Sequence, residues 1–163
     1  MDEVIVRRAD KDDAASIERI VARHNAIPDR LYTASLPLSK DSTVQDERQA
    51  VFVAIINSSV IGYLNLHWNM PTGTNRQEAE FEVVVDPSFR RFGAARELLN
   101  KAIKYLTEKT KVETVIAKIR HGNIGSERLC SKLGFTKVHQ DNLGAYWEMQ
   151  IGCRAWGRTW LTN

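Results

Sequence analysis

Apolar residues recur along this chain with two spacings, one typical of β-strands and one typical of α-helices. Short runs rich in β-branched and aromatic residues predict strands at residues 4–9, 50–56, 60–68, 79–85, 113–119, 135–140 and 145–151. Helical spacing predicts helices that end near residues 25, 109 and 133. Asp12 or Asp13 is expected to cap the first helix, and Gly134 is expected to end the last one in a left-handed conformation.

The strands and helices alternate along the chain, which favours an α/β domain. We expect a mixed, twisted central sheet of about seven strands flanked by helices. The domain is expected to span residues 1–151, and residues 152–163 form a tail that packs on the domain or lies at a dimer contact. The polar segment from Pro28 to Gln49 either shapes a substrate pocket or is a surface connection.

The composition is that of an ordinary globular protein, with 43% hydrophobic and 26% charged residues. A net charge of +3 is too small to indicate nucleic acid as a partner. Two cysteines and four scattered histidines predict neither a disulfide framework nor a metal site. The acidic start is unlike a signal peptide, and no apolar run reaches the roughly 20 residues that span a bilayer. We therefore expect a cytoplasmic protein without a membrane partner.

The turn after the fourth predicted strand combines basic side chains with small residues at the start of a helix. A helix N-terminus exposes unpaired N–H groups and partial positive charge, which phosphate oxygens bind well. Gly93 and Ala95 let a phosphate approach the backbone, and Arg90 and Arg91 add permanent charge. The turn therefore predicts a diphosphate site, although it matches neither common Gly-rich phosphate loop. The alternative is an ordinary strand–turn–helix junction with solvated arginines.

A second segment, residues 123–135, follows a predicted strand, forms a helix and leads into the next strand. Together the two segments resemble the two motifs of the GNAT superfamily of N-acetyltransferases. The resemblance to this family extends from about residue 4 to residue 151. The first motif, Gln/Arg-x-x-Gly-x-Gly/Ala, is matched by Arg90, Gly93 and Ala95 after the lead Val85-Asp86-Pro87. The second, Asn-x-x-Ser/Ala-x-x-Leu-Tyr-x-Lys-x-Gly-Phe, is matched by Asn123, Ser126, Leu129, Lys132, Gly134 and Phe135.

The resemblance implies an acyl-CoA N-acyltransferase-like fold and an enzyme that moves an acetyl group from acetyl-CoA to an amine. It implies direct transfer in a ternary complex, with coenzyme A as product, and members of the family often form homodimers. We expect the acceptor to be a primary amine of a small molecule. Two alternatives stay open: acetylation of a protein N-terminus or lysine, and a non-catalytic acyl-CoA-binding sensor.

The resemblance also assigns contacts to the cofactor. Backbone N–H groups of the turn would hold the pyrophosphate, and the end of the fourth strand would pair with the pantetheine arm where the family's fourth and fifth strands splay apart. An N–H near Val84 or Val85 would polarise the thioester carbonyl, and Asn123 would hydrogen-bond the arm. The implied cofactor-binding residues are Val83, Val84, Val85, Arg90, Arg91, Phe92, Gly93, Ala94, Ala95, Asn123 and Ser126.

Two glutamates on the fourth predicted strand are candidates for the general base that must deprotonate an ammonium acceptor. Glu80 and Glu82 lie two residues apart and therefore share one face of the strand. Glu82 is the first choice, because it lies three positions before Val85, where the family often has an acidic residue near the substrate. The alternative is that both are solvated charges at the edge of a strand.

Cys130 stands where the family usually has the tyrosine that acts as general acid. A thiol with a pKa of about 8.5 can donate a proton to the departing thiolate. The alternatives are that Cys130 is a small buried hydrophobe, or that the thiolate leaves without an acid. The candidates for contact with the acceptor are His67, Trp68 and Tyr146, and a structural role is the alternative for His67.

Overall fold

The computed structural model describes residues 3–28, 34–37, 48–68 and 77–152. The seven predicted strands and the helices predicted to end near residues 25, 109 and 133 are present there, whereas most of the segment from Pro28 to Gln49 lies outside the described residues. The strands are β1 (Ile5–Arg8), β2 (Gln49–Ile56), β3 (Ser59–Trp68), β4 (Glu78–Val85), β5 (Thr114–Arg120), β6 (Thr136–Gln140) and β7 (Gly144–Gln150). The helices are α1 (Ala14–Asn25), α2 (Ala94–Lys109) and α3 (Ile124–Leu133). Short 3-10 helices at Lys11–Asp13 and Pro87–Phe89 come before α1 and α2.

The strands form a seven-stranded sheet in the order β1-β2-β3-β4-β5-β7-β6. β4 and β5 are parallel, whereas β1 with β2, β5 with β7, and β6 with β7 are antiparallel. A parallel pair needs a long crossover connection, and α2 lies in the connection between β4 and β5. The prediction of a mixed sheet flanked by helices is thereby confirmed.

The chain divides into two compact units, Met1–Leu66 with Phe81–Ala102, and His67–Glu80 with Ile103–Asn163. The boundaries predicted for the domain and its tail stay a prediction, and residues 153–163 of that tail lie outside the described residues. The two units are described separately below.

The core of the first unit joins the apolar face of α1 to side chains of β2, β3 and β4. Each large apolar side chain that becomes buried contributes on the order of 1.5–3 kcal/mol. Tyr63 belongs to this core although its side chain ends in a hydroxyl, and it is 0% exposed. The core is formed by Ile17, Ile20, Val21, Ala34, Val51, Val53, Tyr63 and Val84.

Asp13 is the N-cap residue of α1, as one of the two predicted positions, but its carboxylate does not make the expected cap hydrogen bond to α1. The side-chain cap comes instead from Asp10, at the start of the 3-10 helix before α1. Because this 3-10 turn precedes α1, the first unpaired N–H groups lie before the α-helix. The Asp10 carboxylate accepts one of them, the Asp12 N–H, at 2.8 Å. The buried Asp13 carboxylate instead accepts from the Arg7 guanidinium at 2.7 and 2.9 Å. Burial raises the pKa of Asp13, but hydrogen bonds from Arg7 and the Asp10 N–H outweigh burial and leave that pKa below its ordinary value.

The second unit is built on β5, β7 and β6, with β5 and β7 paired along the full length of both strands. Asn123 caps the N-terminus of helix α3, and its side-chain oxygen accepts the Ser126 N–H at 3.3 Å. It ends at Gly134, which has a φ of 97°. A left-handed residue there suits glycine, and this prediction is confirmed.

Candidate functional site

The connection from β4 to α2 has an unusual backbone. Arg91 has a φ of 71° and Gly93 a φ of 84°, so two residues of this short turn are left-handed. Such a conformation is uncommon for arginine, and strained residues cluster at functional sites. The first hydrogen bond of α2 runs from the Glu97 N–H to the Gly93 carbonyl at 3.1 Å, so the N–H groups of residues 94–96 precede the helical ladder.

The side chains around this turn leave room for an anion. Arg90 and Arg91 are exposed, and Phe92 is also exposed. A Cβ added at Gly93 would meet nothing closer than the Arg96 guanidinium at 3.9 Å. The turn therefore offers positive charge and an open approach to its backbone, which are the features a diphosphate needs.

An ion pair anchors the residues that lead into the turn. Asp86 is buried, and its carboxylate accepts from Arg23 of α1 at 2.7 Å. The other Arg23 nitrogen donates to the Ser88 hydroxyl at 2.7 Å, and the Asp86 carboxylate also accepts the Ser88 N–H at 2.9 Å. The Asp86 N–H donates to the Ile61 carbonyl at 2.8 Å. These bonds fix the start of the connection to α1 and β3.

We expect Arg23→Ala to lower the free energy of unfolding by about 1–3 kcal/mol, because it leaves the buried Asp86 carboxylate without its cation. Denaturant unfolding measures this change. Arg19→Ala is the matched control, since Arg19 lies on the same helix and donates to the Val60 carbonyl at a longer distance of 3.5 Å. Equal losses of stability in the two variants would contradict an anchoring role for Arg23.

Glu82 is held in place by three donors of the first unit. Its Oε1 accepts from the Tyr63 hydroxyl at 3.1 Å and from the Ser35 N–H at 3.2 Å. The Ser35 hydroxyl lies 3.4 Å from each carboxylate oxygen. Glu82 is half-buried, so it is an anchored carboxylate rather than a freely solvated one.

Glu80, in the second unit, has a different environment. Lys118 Nζ lies 2.9 Å from one Glu80 oxygen and 3.0 Å from the other. The Lys118 ammonium also lies 6.0 Å from the centroid of the Tyr146 ring. An acceptor amine would have to compete with the Lys118 ammonium for the Glu80 carboxylate.

Cys130 is a buried thiol on α3, with 3% of its surface exposed. Burial raises the pKa of Cys130 to about 11. The thiol is therefore neutral near pH 7 and has little surface on which to meet a substrate. Its burial fits the alternative of a small packed hydrophobe, and its role as general acid stays a prediction.

The candidate acceptor residues of the second unit have different environments. Trp68 is 7% exposed and its ring packs on Tyr105 with centroids 5.9 Å apart, whereas His67 is half-buried. Tyr146 lies 5.7 Å from the His139 ring and lines a cavity of about 150 Å³. That cavity is also lined by Lys118, Ile119, Arg120, Asp141, Leu143, Gly144 and Ala145.

Comparison with known proteins decides the family. The model of the acetyltransferase (GNAT) family matches residues 16–135. The chain belongs to the GNAT family.

Relatives of known name extend this result. An N-acetyltransferase 9-like protein from Nematostella vectensis is 30% identical over 115 residues, which cover 64% of this chain and 58% of that protein. The structure of yncA from Salmonella typhimurium with its cofactor acetyl-CoA is 25% identical, with a TM-score of 0.70 over 91% of this chain and 94% of that one. N-acetyltransferase PseH from Campylobacter jejuni, in complex with acetyl coenzyme A, is 25% identical, with a TM-score of 0.53 over 64% of this chain and 70% of that one.

The residues predicted for the site of this GNAT chain fall in both units. The first unit holds Glu82, Val83, Val84, Val85, Arg90, Arg91, Phe92, Gly93, Ala94 and Ala95. The second unit holds His67, Trp68, Glu80, Asn123, Ser126, Cys130 and Tyr146. The Asn123 side-chain oxygen is used to cap α3, so its amide nitrogen is the group left to donate. Contact of Asn123 and Ser126 with a cofactor stays a prediction.

Sequence reasoning missed three residues that hold the candidate groups: Arg23, Ser35 and Tyr63. The sequence gives no signal for them, because the burial of Asp86, which calls for a cation from elsewhere in the chain, is known only from the structure. Within the described part of the GNAT chain, no cluster of His, Cys, Asp or Glu could hold a metal ion. No helix in that part is long and apolar enough to cross a membrane.

Proposed function

We propose that this GNAT chain transfers the acetyl group of acetyl-CoA directly to a primary amine of a small molecule and releases coenzyme A. The turn at residues 90–95 carries this proposal. It combines a helix N-terminus, left-handed residues at Arg91 and Gly93, and exposed arginines, and this combination suits a diphosphate. Family membership and the two relatives that contain acetyl-CoA support acetyl-CoA as the donor.

In this proposal the phosphates bind the backbone N–H groups of residues 91–95, while Arg90 and Arg91 supply charge. The backbone of residues 83–85 pairs with the pantetheine arm as an added strand would. An N–H of Val84 or Val85 polarises the thioester carbonyl, because a fixed donor stabilises the oxyanion that forms during attack.

The chemistry needs a base because an amine acceptor is mostly ammonium near pH 7 and cannot attack in that form. Glu82 takes the proton, directly or through a water molecule. The amine nitrogen then attacks the carbonyl carbon, the carbon–sulfur bond breaks, and coenzyme A leaves as its thiolate. The second proton, which the nitrogen loses as the amide forms, passes to this thiolate or to solvent. A general base contributes about 10²–10⁴-fold to the rate. The hydrogen bonds that hold the half-buried Glu82 support its assignment over the ion-paired Glu80.

Cys130→Ala is expected to lower kcat by no more than about threefold, well below the ~10²–10⁴-fold that a general acid supplies. The reason is that the thiol is 3% exposed and burial raises the pKa of Cys130 to about 11. Steady-state kinetics measures the change, with thermal unfolding as a check on the fold. A fall in kcat above about 100-fold in a folded variant would show that the thiol is the acid.

The proposed activity is tested by incubating the chain with acetyl-CoA and a panel of acceptors, and measuring release of free thiol. The panel contains small primary amines, peptides with free N-termini and peptides with internal lysines. Faster thiol release with small amines than with either class of peptide supports the proposal. Faster release with a peptide class would make the chain a protein acetyltransferase. Tight binding of acetyl-CoA without release over the whole panel would make it a sensor.

A further inference from the structure

Tyr63 brings a buried hydroxyl to the carboxylate proposed as the base. Its ring is 0% exposed in the core of the first unit, which also includes Ile17, Val53 and Val84. A ring packed on all sides has little freedom, so its oxygen has a fixed position. That oxygen lies 3.1 Å from Oε1 of Glu82.

The Tyr63 hydroxyl has one proton to give, and the Ser35 carbonyl and Glu82 are both within its reach. The Ser35 carbonyl oxygen is 2.8 Å away, and Glu82 Oε1 is 3.1 Å away. A phenol hydroxyl can donate to one of them at a time, and its oxygen can accept from another group. Ser35 therefore contributes its carbonyl to the phenol and its N–H, at 3.2 Å, to the carboxylate.

We propose that Tyr63 is a positioning residue for Glu82, which holds Oε1 so that Oε2 is presented to the acceptor amine. This inference rests on the proposed function of Glu82 as the base. The three donors support the division of roles between the two oxygens. Two of them lie 3.1 and 3.2 Å from Oε1, whereas the donor to Oε2 within the described residues is the Ser35 hydroxyl, at a longer distance of 3.4 Å.

The same arrangement serves both protonation states of Glu82. While Glu82 is charged, the Tyr63 hydroxyl donates to Oε1, and a hydrogen bond to a charged group is stronger than one between neutral groups. After Oε2 of Glu82 has taken the proton, Oε1 is the carbonyl oxygen of the acid and can still accept from the Tyr63 hydroxyl. The hydroxyl can also turn to the Ser35 carbonyl, which is 2.8 Å away. A buried hydroxyl thus keeps a hydrogen-bond partner in each state, and none of these groups is left unsatisfied.

Tyr63→Phe tests this inference because it removes only the hydroxyl. We expect kcat to fall about tenfold, while the KM for the amine and the acetyl-CoA Kd stay within about twofold. In a Glu82→Gln background, Tyr63→Phe should change kcat by less than about twofold, since no carboxylate remains to be positioned. Tyr105→Phe, which removes a phenol oxygen from α2, is the matched control and should leave kcat unchanged. Thermal unfolding and acetyl-CoA binding report on the fold of every variant.

The outcomes separate the two proposals. An unchanged kcat in Tyr63→Phe, beside a large loss in Glu82→Gln, overturns the positioning role alone. A tenfold loss that persists in the Glu82→Gln background also overturns it, because Tyr63 then acts on something other than the carboxylate. A wild-type kcat in Glu82→Gln overturns the proposed base and the positioning role together.

Discussion

Gly93→Glu is expected to weaken acetyl-CoA binding by more than about 100-fold, because it places a negative charge at a helix N-terminus where the phosphates are proposed to sit. Gly93 has a φ of 84°, and an L-residue pays roughly 1–2 kcal/mol for a left-handed backbone. Space alone does not forbid a side chain, since an added Cβ would be 3.9 Å from the Arg96 guanidinium. The expected loss of acetyl-CoA affinity therefore comes from the negative charge and the backbone conformation. Isothermal titration calorimetry with acetyl-CoA measures the affinity.

Gly93→Gln is the matched control, because it introduces the same size and the same backbone strain without charge. We expect it to bind acetyl-CoA more weakly than the wild type and more tightly than Gly93→Glu. Equal losses in the two variants would assign the effect to the backbone rather than to charge. An unchanged affinity in Gly93→Glu would show that residues 90–95 do not hold the phosphates.

The sequence predicted the features of the fold that depend on neighbouring residues. Strands and helices follow from apolar spacing, which each segment carries by itself. The end of α3 follows from Gly134, because glycine alone adopts its φ of 97° without strain. The cap of the first helix was predicted less well, since Asp10, Asp12 and Asp13 are all plausible caps and only the 3-10 turn selects Asp10.

The contacts that support the site depend on residues far apart in sequence. Arg23 and Asp86 are 63 residues apart, and Tyr63 and Glu82 are 19 apart. No local pattern specifies such pairs, because they form only when different elements pack together. The turn at residues 90–95 could be predicted because its arginines, its small residues and the start of the following helix are adjacent in the sequence. Its left-handed arginine could not, since arginine rarely adopts that conformation.

The two glutamates of β4 show the same limit. Alternation along a strand places Glu80 and Glu82 on one face, and the sequence alone gives them the same physical environment. The structure gives Glu80 a lysine and gives Glu82 a phenol and a backbone N–H. A lysine ion pair occupies both oxygens of Glu80, whereas the donors on Glu82 favour one oxygen. Because of this difference, substitutions of Glu80 and Glu82 can serve as controls for each other.

Glu82→Gln is expected to lower kcat by about 10²–10⁴-fold, because glutamine keeps the size of the side chain but cannot take a proton. Acetyl-CoA affinity should stay close to the wild-type value, since the substitution leaves the turn at residues 90–95 intact. Steady-state kinetics across about pH 6 to 9 measures the loss, and calorimetry measures the affinity.

Glu80→Gln is the control, two positions earlier on the same strand. It removes one charge from the ion pair with Lys118, and an exposed pair of this kind contributes about 0–1 kcal/mol to stability. We expect kcat in this variant to stay within about threefold of the wild type, far from the ~10²-fold minimum expected of a lost base. A large loss in Glu80→Gln with a small one in Glu82→Gln would move the base to Glu80. The Lys118 ammonium would then compete with the acceptor amine for the Glu80 carboxylate during each turnover, because it lies within hydrogen-bond distance of both carboxylate oxygens.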